Sequence, residues 1–315
     1  MHKLPISNTL TGMFFIAVGI FLYSLINLVV KDLVCQYSLG QIALFRMGFA
    51  LLPALYMLRQ TEPKRMFATT TLPRLMVIAF TNFVAIILIF KAFSLLPLAE
   101  AQTLCFTSII FATLMALFVL GEKVNLLSAT AVFIGFLGIL AVVQPHTGLT
   151  NMYGVCAALG FAFLDAVTLV NLRILSRDNS GYKVAFYLMF FGTSYLLIVF
   201  ILKPYLPEII TTLLSVEWVP LGQKDFFRMA FVGLVGGMGQ ICVSVAYKYA
   251  KAVTISPVIY TGVIWGILFD IFLFGRSLTP LLVIGALLVI GSGLLIVYNE
   301  HILAKNTHKT KFPYT

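Results

Sequence analysis

The sequence predicts an all-α membrane protein with ten transmembrane helices in two inverted five-helix repeats. Three observations predict it. Ten apolar stretches, each long enough to cross a hydrocarbon core of about 30 Å, fill almost the whole 315-residue chain. Hydrophobic residues make up 61% of the chain and charged residues 10%, against about 25% charged in an ordinary soluble domain. The two halves also match each other when the chain is shifted along itself, which is the sequence signature of a duplicated architecture.

The spans follow in order as residues 10–30, 39–58, 74–95, 98–120, 126–144, 152–172, 184–202, 228–248, 254–274 and 279–298. The first carries no small-residue cleavage site and exceeds the core of a signal peptide, so it is expected to remain as the first span. Spans 3 and 4 meet in a tight turn, and Gly121 and Glu122 close span 4. One sizeable connection, Lys203 to Arg228, separates spans 7 and 8. After span 10 the segment 299–315 carries Lys305, Lys309 and Lys311, and a cytoplasmic tail lying against anionic headgroups is expected there.

The formal net charge of +10 reports topology. With the N-terminus placed inside, the loops put fourteen of the 21 Lys and Arg on the cytoplasmic side and six opposite, and Arg46 stays within a span. The positive-inside rule then predicts both termini in the cytoplasm of a multi-pass inner-membrane protein. Nucleic acid is excluded as the partner that this basicity serves; membrane lipids and a small-molecule substrate are the expected partners, for a monomer or homodimer. Cys105, Cys156 and Cys242 fall in spans and Cys35 stands alone. No spacing suits a metal or redox site, so no cofactor and no metal is expected.

A shift of 142 lays Gly12 on Gly154 and Lys31 on Arg173, and a shift of 141 lays Gly40 on Gly181 and Phe45 on Phe186. Later the offset grows to 156, where Phe93 meets Tyr249, and at 154 Gly121 meets Gly275. Units of 10–144 and 152–298 result, and because five spans is an odd number the halves sit in opposite orientations. That is the inverted repeat of secondary transporters, with alternating access as its mechanical consequence.

The two links FKAFSLLPLAEAQ (90–102) and AYKYAKAVTISPV (246–258), with Gly121-Glu122 and with Gly135 and Gly138 in span 5, resemble the EamA-type drug/metabolite transporter superfamily over about residues 10 to 300. Val30-Lys31 and Phe45-Arg46 are similar to the branch that contains S-adenosylmethionine uptake transporters. The resemblance implies secondary transport of a small zwitterionic or cationic metabolite, S-adenosylmethionine foremost. An exporter of amino acids or toxic organic compounds is the alternative on the same scaffold. The second half departs from the pattern, with Gly275-Arg276 where the first has Gly121-Glu122. Only Glu122 is therefore available for the family's Glu.

Ionisable groups inside a bilayer are costly and face a cavity or a partner. Asp165, at the middle of span 6, is out of reach of either surface; it is either a cation- or proton-binding carboxylate or a protonated Asp bonded to a neighbouring helix. Arg46 in span 2 either binds a substrate carboxylate or phosphate or pairs with Glu100. Lys31 and Lys91 occupy span ends where snorkelling suffices. Tyr23 and Asn27 (span 1), Asn82 (span 3), Gln102 (span 4), Gln240 (span 8), and Tyr260 and Trp265 (span 9) complete a candidate pocket lined by spans 1, 3, 4, 6, 8 and 9. Glu100, Lys31 and Glu122 are assigned structural or coupling roles.

Gly233, Gly236, Gly237 and Gly239 lie within an apolar span with no preceding strand, so close helix packing is expected of them. Gly262 and Gly266 are read the same way. The chain has no phosphate-binding loop, no HExxH and no Gly-x-Ser-x-Gly. Its four His lie in the tails and one loop, which leaves a membrane-embedded lipid-modifying enzyme only a remote alternative.

Overall fold

A computed structural model describes residues 6–63, 69–108, 110–112, 114–115, 130, 133–138, 141, 151–175, 179–208, 211, 216–249, 258–259, 261–273, 275 and 279–310. Among them lie nine α-helices with defined bounds and one short 3-10 turn, residues 133–138 are also helical, and no strand occurs. The helices are α1 (Ile6–Leu33), α2 (Leu39–Thr61), α3 (Leu72–Leu95), α4 (Leu98–Cys105), α5 (Met152–Leu175), α6 (Gly181–Leu202), α7 (Gln223–Tyr249), α8 (Thr261–Phe272) and α9 (Pro280–Thr310).

Six of these, α1, α2, α3, α5, α6 and α7, are long and apolar enough to cross a membrane. They coincide with predicted spans 1, 2, 3, 6, 7 and 8. Spans 4, 5 and 9 fall partly outside the described residues. Span 10 lies within α9 but for its first residue, Thr279, and α9 runs on past residue 298 to Thr310. The first part of the expected tail is thus a continuation of a helix.

The helix ends have local causes. Ser38 caps α2 by accepting from the Gln41 N–H at 3.3 Å, and Ser180 caps α6 by accepting from the Lys183 N–H at 3.3 Å. Both cap residues are extended, as an N-cap requires. The α3–α4 turn is short because Leu96 precedes Pro97 and is driven to extended backbone.

The core is one large apolar cluster shared by α1 to α7, with Leu282 of α9. Its organising element is α7, which packs against α1, α2 and α6. A Cβ on Gly237 would stand 2.7 Å from Ala50 Cα, and one on Gly233 would stand 2.4 Å from Phe49 Cβ. A Cβ on Gly239 would meet the Tyr23 ring at 3.1 Å. The glycine stripe therefore seats α7 between α2 and α1, as close packing in a bilayer demands. The outer faces are apolar instead of charged, with Phe14, Tyr56 and Ile201 all exposed.

Candidate substrate cavity

A cavity of about 160 Å³ opens between helices of both halves. α1, α3, α4, α5 and α7 contribute residues at helical spacing, so one face of each reaches it. From α1 come Tyr23, Ser24 and Asn27; from α3, Asn82 and Ile86; from α5, Phe161 and Asp165; from α7, Gln240 and Tyr247. Gln102, Cys105 and Ser108 line it from α4 and the residues beyond, and Arg46 enters from α2.

Seven of the nine predicted pocket residues meet here: Asp165, Arg46, Tyr23, Asn27, Asn82, Gln102 and Gln240. Tyr260 and Glu122 lie outside the described residues. Trp265 is not among the lining residues; its ring packs edge-on to Phe21 at 5.0 Å and beside Phe269 at 6.4 Å. An aromatic side chain on a helix serves packing as readily as binding, and here it fills the contact with α1. Ser24, Ser108, Tyr247 and Cys105 are lining residues that the sequence reading did not place there. The signal was available in their spacing: Ser24 precedes Asn27 by three residues and Cys105 follows Gln102 by three, so each shares a helix face with a predicted residue.

Arg46 is flanked by two rings, its guanidinium carbon 5.5 Å from the Tyr23 centroid and 5.7 Å from the Phe90 centroid. Such faces attract a cation without neutralising it. Two aromatic faces are thus among the described neighbours of Arg46. Tyr23 donates to Gln240 Oε1 at 2.6 Å, and Gln240 Nε2 donates to Ser244 Oγ at 3.4 Å. This chain fixes the ring beside Arg46 and joins α1 to α7. Across the cavity the Ser108 hydroxyl faces the Asp165 carboxylate. No ion pair joins Asp165 to Arg46 among the described residues.

Lys31, expected at the membrane interface, donates its ammonium to the carbonyls of Phe93 and Leu96, the latter at 2.5 Å. Those carbonyls belong to the C-terminal end of α3, where helical partners run out and a cation is favoured. Lys31 therefore ties α1 to the α3–α4 turn. Glu100, in the first turn of α4, is half-buried and lies outside the lining.

Both ends of the bundle are closed by polar contacts between the halves. At one end Arg228 on α7 binds Asp32 of α1, and also Asp225 at 3.1 Å. Tyr37 donates to Asp225 at 2.9 Å. Buried Gln41 donates to the Val219 carbonyl at 2.9 Å and accepts from the Val219 N–H at 3.0 Å, strapping the 203–222 connection to α2. At the opposite end Lys183 on α6 pairs with Glu62 at 2.8 Å, Asn179 bridges Thr69 and Thr71, and Arg74 donates twice to Asn171. Burial pushes the Glu62 carboxyl up, but its hydrogen bonds with Lys183 and Ser180 outweigh that and hold it below its ordinary value.

Known proteins place this architecture. The model of the EamA-like transporter family matches residues 10–144 and 152–298. The chain is 28% identical to mouse solute carrier family 35 member G1 over 66% of its own length, and it spans 57% of that protein. It is 24% identical to the pseudopaline exporter CntI of Pseudomonas aeruginosa, covering 82% of this chain and 87% of that one. It is 23% identical to an S-adenosylmethionine uptake transporter of Rickettsia bellii, covering 90% and 94%. A solved crystal structure shares the fold at a TM-score of 0.66 with 16% identity, covering 94% of this chain and 98% of that one. With both halves matched and the relatives named as transporters, the chain is a multi-pass membrane transporter, not an enzyme, and belongs to the EamA-like transporter family.

Proposed function

We propose that this protein carries a small zwitterionic or cationic metabolite through the cavity by alternating access, as ten spans in two inverted five-helix units, with both termini in the cytoplasm and the bundle in the inner membrane. One observation carries the reading: a carboxylate, Asp165, and a guanidinium, Arg46, line the same cavity without pairing to each other. Two opposite charges kept apart inside a bilayer are costly unless a ligand or proton answers them. In this reading Asp165 takes an ammonium, a sulfonium or a proton, and Arg46 presents its N–H edge to a carboxylate. Tyr23 and Gln240 hold Arg46 in place, and Asn27, Asn82 and Gln102 supply neutral hydrogen bonds. Lys31 and Glu100 set the α3–α4 turn, and Glu122 is assigned to coupling.

The recurrence of the N-cap at Ser38 and Ser180, 142 residues apart, supports the repeat. S-adenosylmethionine is the first candidate substrate, supported by the Rickettsia relative over nearly the whole chain. Export of amino acids or toxic organic compounds is the second reading, favoured by the likeness to a Pseudomonas exporter. Counter-flow in proteoliposomes separates them. Labelled S-adenosylmethionine added outside vesicles loaded with the unlabelled compound is expected to accumulate transiently above protein-free vesicles. Absence of accumulation with folded protein, together with growth protection of expressing cells against amino-acid analogues, would replace uptake by export.

A further inference from the structure

The cavity holds polarity beyond its two charges. Asn82 Oδ1 and both amide atoms of Gln102, Nε2 and Oε1, are buried with no protein hydrogen-bond partner among the described residues. Gln102 itself is only 3% exposed. Other buried amides behave differently: Gln41 makes both its bonds to Val219, Gln240 takes one from Tyr23 and gives one to Ser244, and Asn179 bridges two threonines. An unanswered buried amide destabilises the protein, and a leucine of similar size would avoid the cost.

The space for that amide is also built. Gly266 on α8 faces it, and a Cβ there would stand 2.3 Å from Gln102 Oε1. Any larger residue at 266 would displace the amide from its seat between α4 and α8. A costly group kept in a seat cleared for it, in the wall of the cavity, has the character of a recognition element.

We infer that Gln102, together with Asn82, reads a neutral planar donor–acceptor edge on the substrate, of the kind borne by a carboxamide or an amino-substituted nitrogen heterocycle. A primary amide offers two N–H donors and a carbonyl acceptor in one plane. Its complement is an acceptor beside a donor, which neither an ammonium nor a carboxylate provides alone. The inference rests on the cavity being the transport site and adds a third point of recognition to Arg46 and Asp165. Selectivity follows, because a site built to hydrogen-bond a polar edge rejects analogues that lack it more sharply than an apolar pocket rejects a missing methylene.

The test is thermal stabilisation of the purified protein by three zwitterions with the same amino-acid end: L-glutamine, S-adenosylmethionine and L-norleucine. The expected result is that glutamine or S-adenosylmethionine half-saturates at a concentration at least tenfold below that of norleucine. Preference for glutamine assigns a carboxamide, and preference for S-adenosylmethionine a heterocycle. In Gln102→Leu the preference should collapse while the Tm of the unliganded protein rises. Gly266→Ala should also lose the preference, with the amide still present but displaced. Equal stabilisation by all three ligands, a preference that survives Gln102→Leu, or a lower unliganded Tm in that variant overturns this inference and leaves the transport reading standing. Stabilisation by none of the three removes the zwitterion reading and this inference with it.

Discussion

The ends of the helical bundle and its middle treat polar side chains in opposite ways. At the ends, cations meet anions or carbonyls: Arg228 has Asp32 and Asp225, Lys183 has Glu62, and Lys31 has the last carbonyls of α3. In the middle, Arg46 has two aromatic faces, Asp165 faces a serine hydroxyl, and the amides of Asn82 and Gln102 have atoms without protein partners. The two ends of α2, at 1.5 Å per residue, stand about 35 Å apart, so these regions are distinct in depth. Polar side chains at the ends are satisfied where water is near; in the middle the Tyr23–Gln240–Ser244 chain is bonded, yet the buried side-chain atoms without a partner among the described residues, on Asn82 and Gln102, lie where a substrate would be bound.

This contrast predicts a separation of effects. The largest is expected in the middle: Asp165→Asn should lower the initial counter-flow rate about 10- to 100-fold, the worth of a charge-assisted hydrogen bond, with the Tm nearly unchanged. A large fall in Tm would make Asp165 a structural residue and blur the contrast. Next comes the buried end. In Lys183→Met the Glu62 side chain, 27% exposed, loses its ammonium, and denaturation should show a loss of about 1–3 kcal/mol.

The same pair gives a pH signature. The folded Glu62 carboxyl titrates below its ordinary value of about 4.3. Its contribution is therefore complete above that value and is lost as the pH falls through the lower folded one. An acid titration of Tm should show a step below about pH 4.3 that shrinks in Lys183→Met. The smallest effect belongs to the exposed end. Asp32 is 52% exposed in its pair with Arg228, and Arg228→Gln should cost no more than about 1 kcal/mol. A loss as large as that of Lys183→Met would show the two ends to be equivalent.

Most of the fold was legible because bilayer-crossing helices must be long and apolar, and α1, α2, α3, α5, α6 and α7 satisfy that requirement without tertiary help. Seven cavity residues were legible for the same physical reason, since a polar group at that depth needs an answer. Ser24, Ser108 and Tyr247 escaped because their polarity is slight; only helical spacing from stronger neighbours marks them. Trp265 packs on Phe21 and Phe269 outside the lining, and an aromatic ring in a sequence carries no sign of whether it faces ligand or helix. The end contacts were invisible in the sequence, since Gln41 and Val219 lie 178 residues apart and nothing local announces such pairing. Arg46 showed both the strength and the limit: its cost was readable, but its aromatic surroundings arise from two other helices, α1 and α3.

The central claim is that substrate occupies this cavity, and Cys105 in its wall offers the most direct test. With Cys35, Cys156 and Cys242 changed to Ser, the rate at which a small methanethiosulfonate reagent modifies Cys105 is measured with and without a saturating transported substrate. The account predicts that the substrate slows modification several-fold, and that Asp165→Asn abolishes the protection. A substrate that is transported yet leaves the Cys105 rate unchanged would place the pathway elsewhere and contradict it.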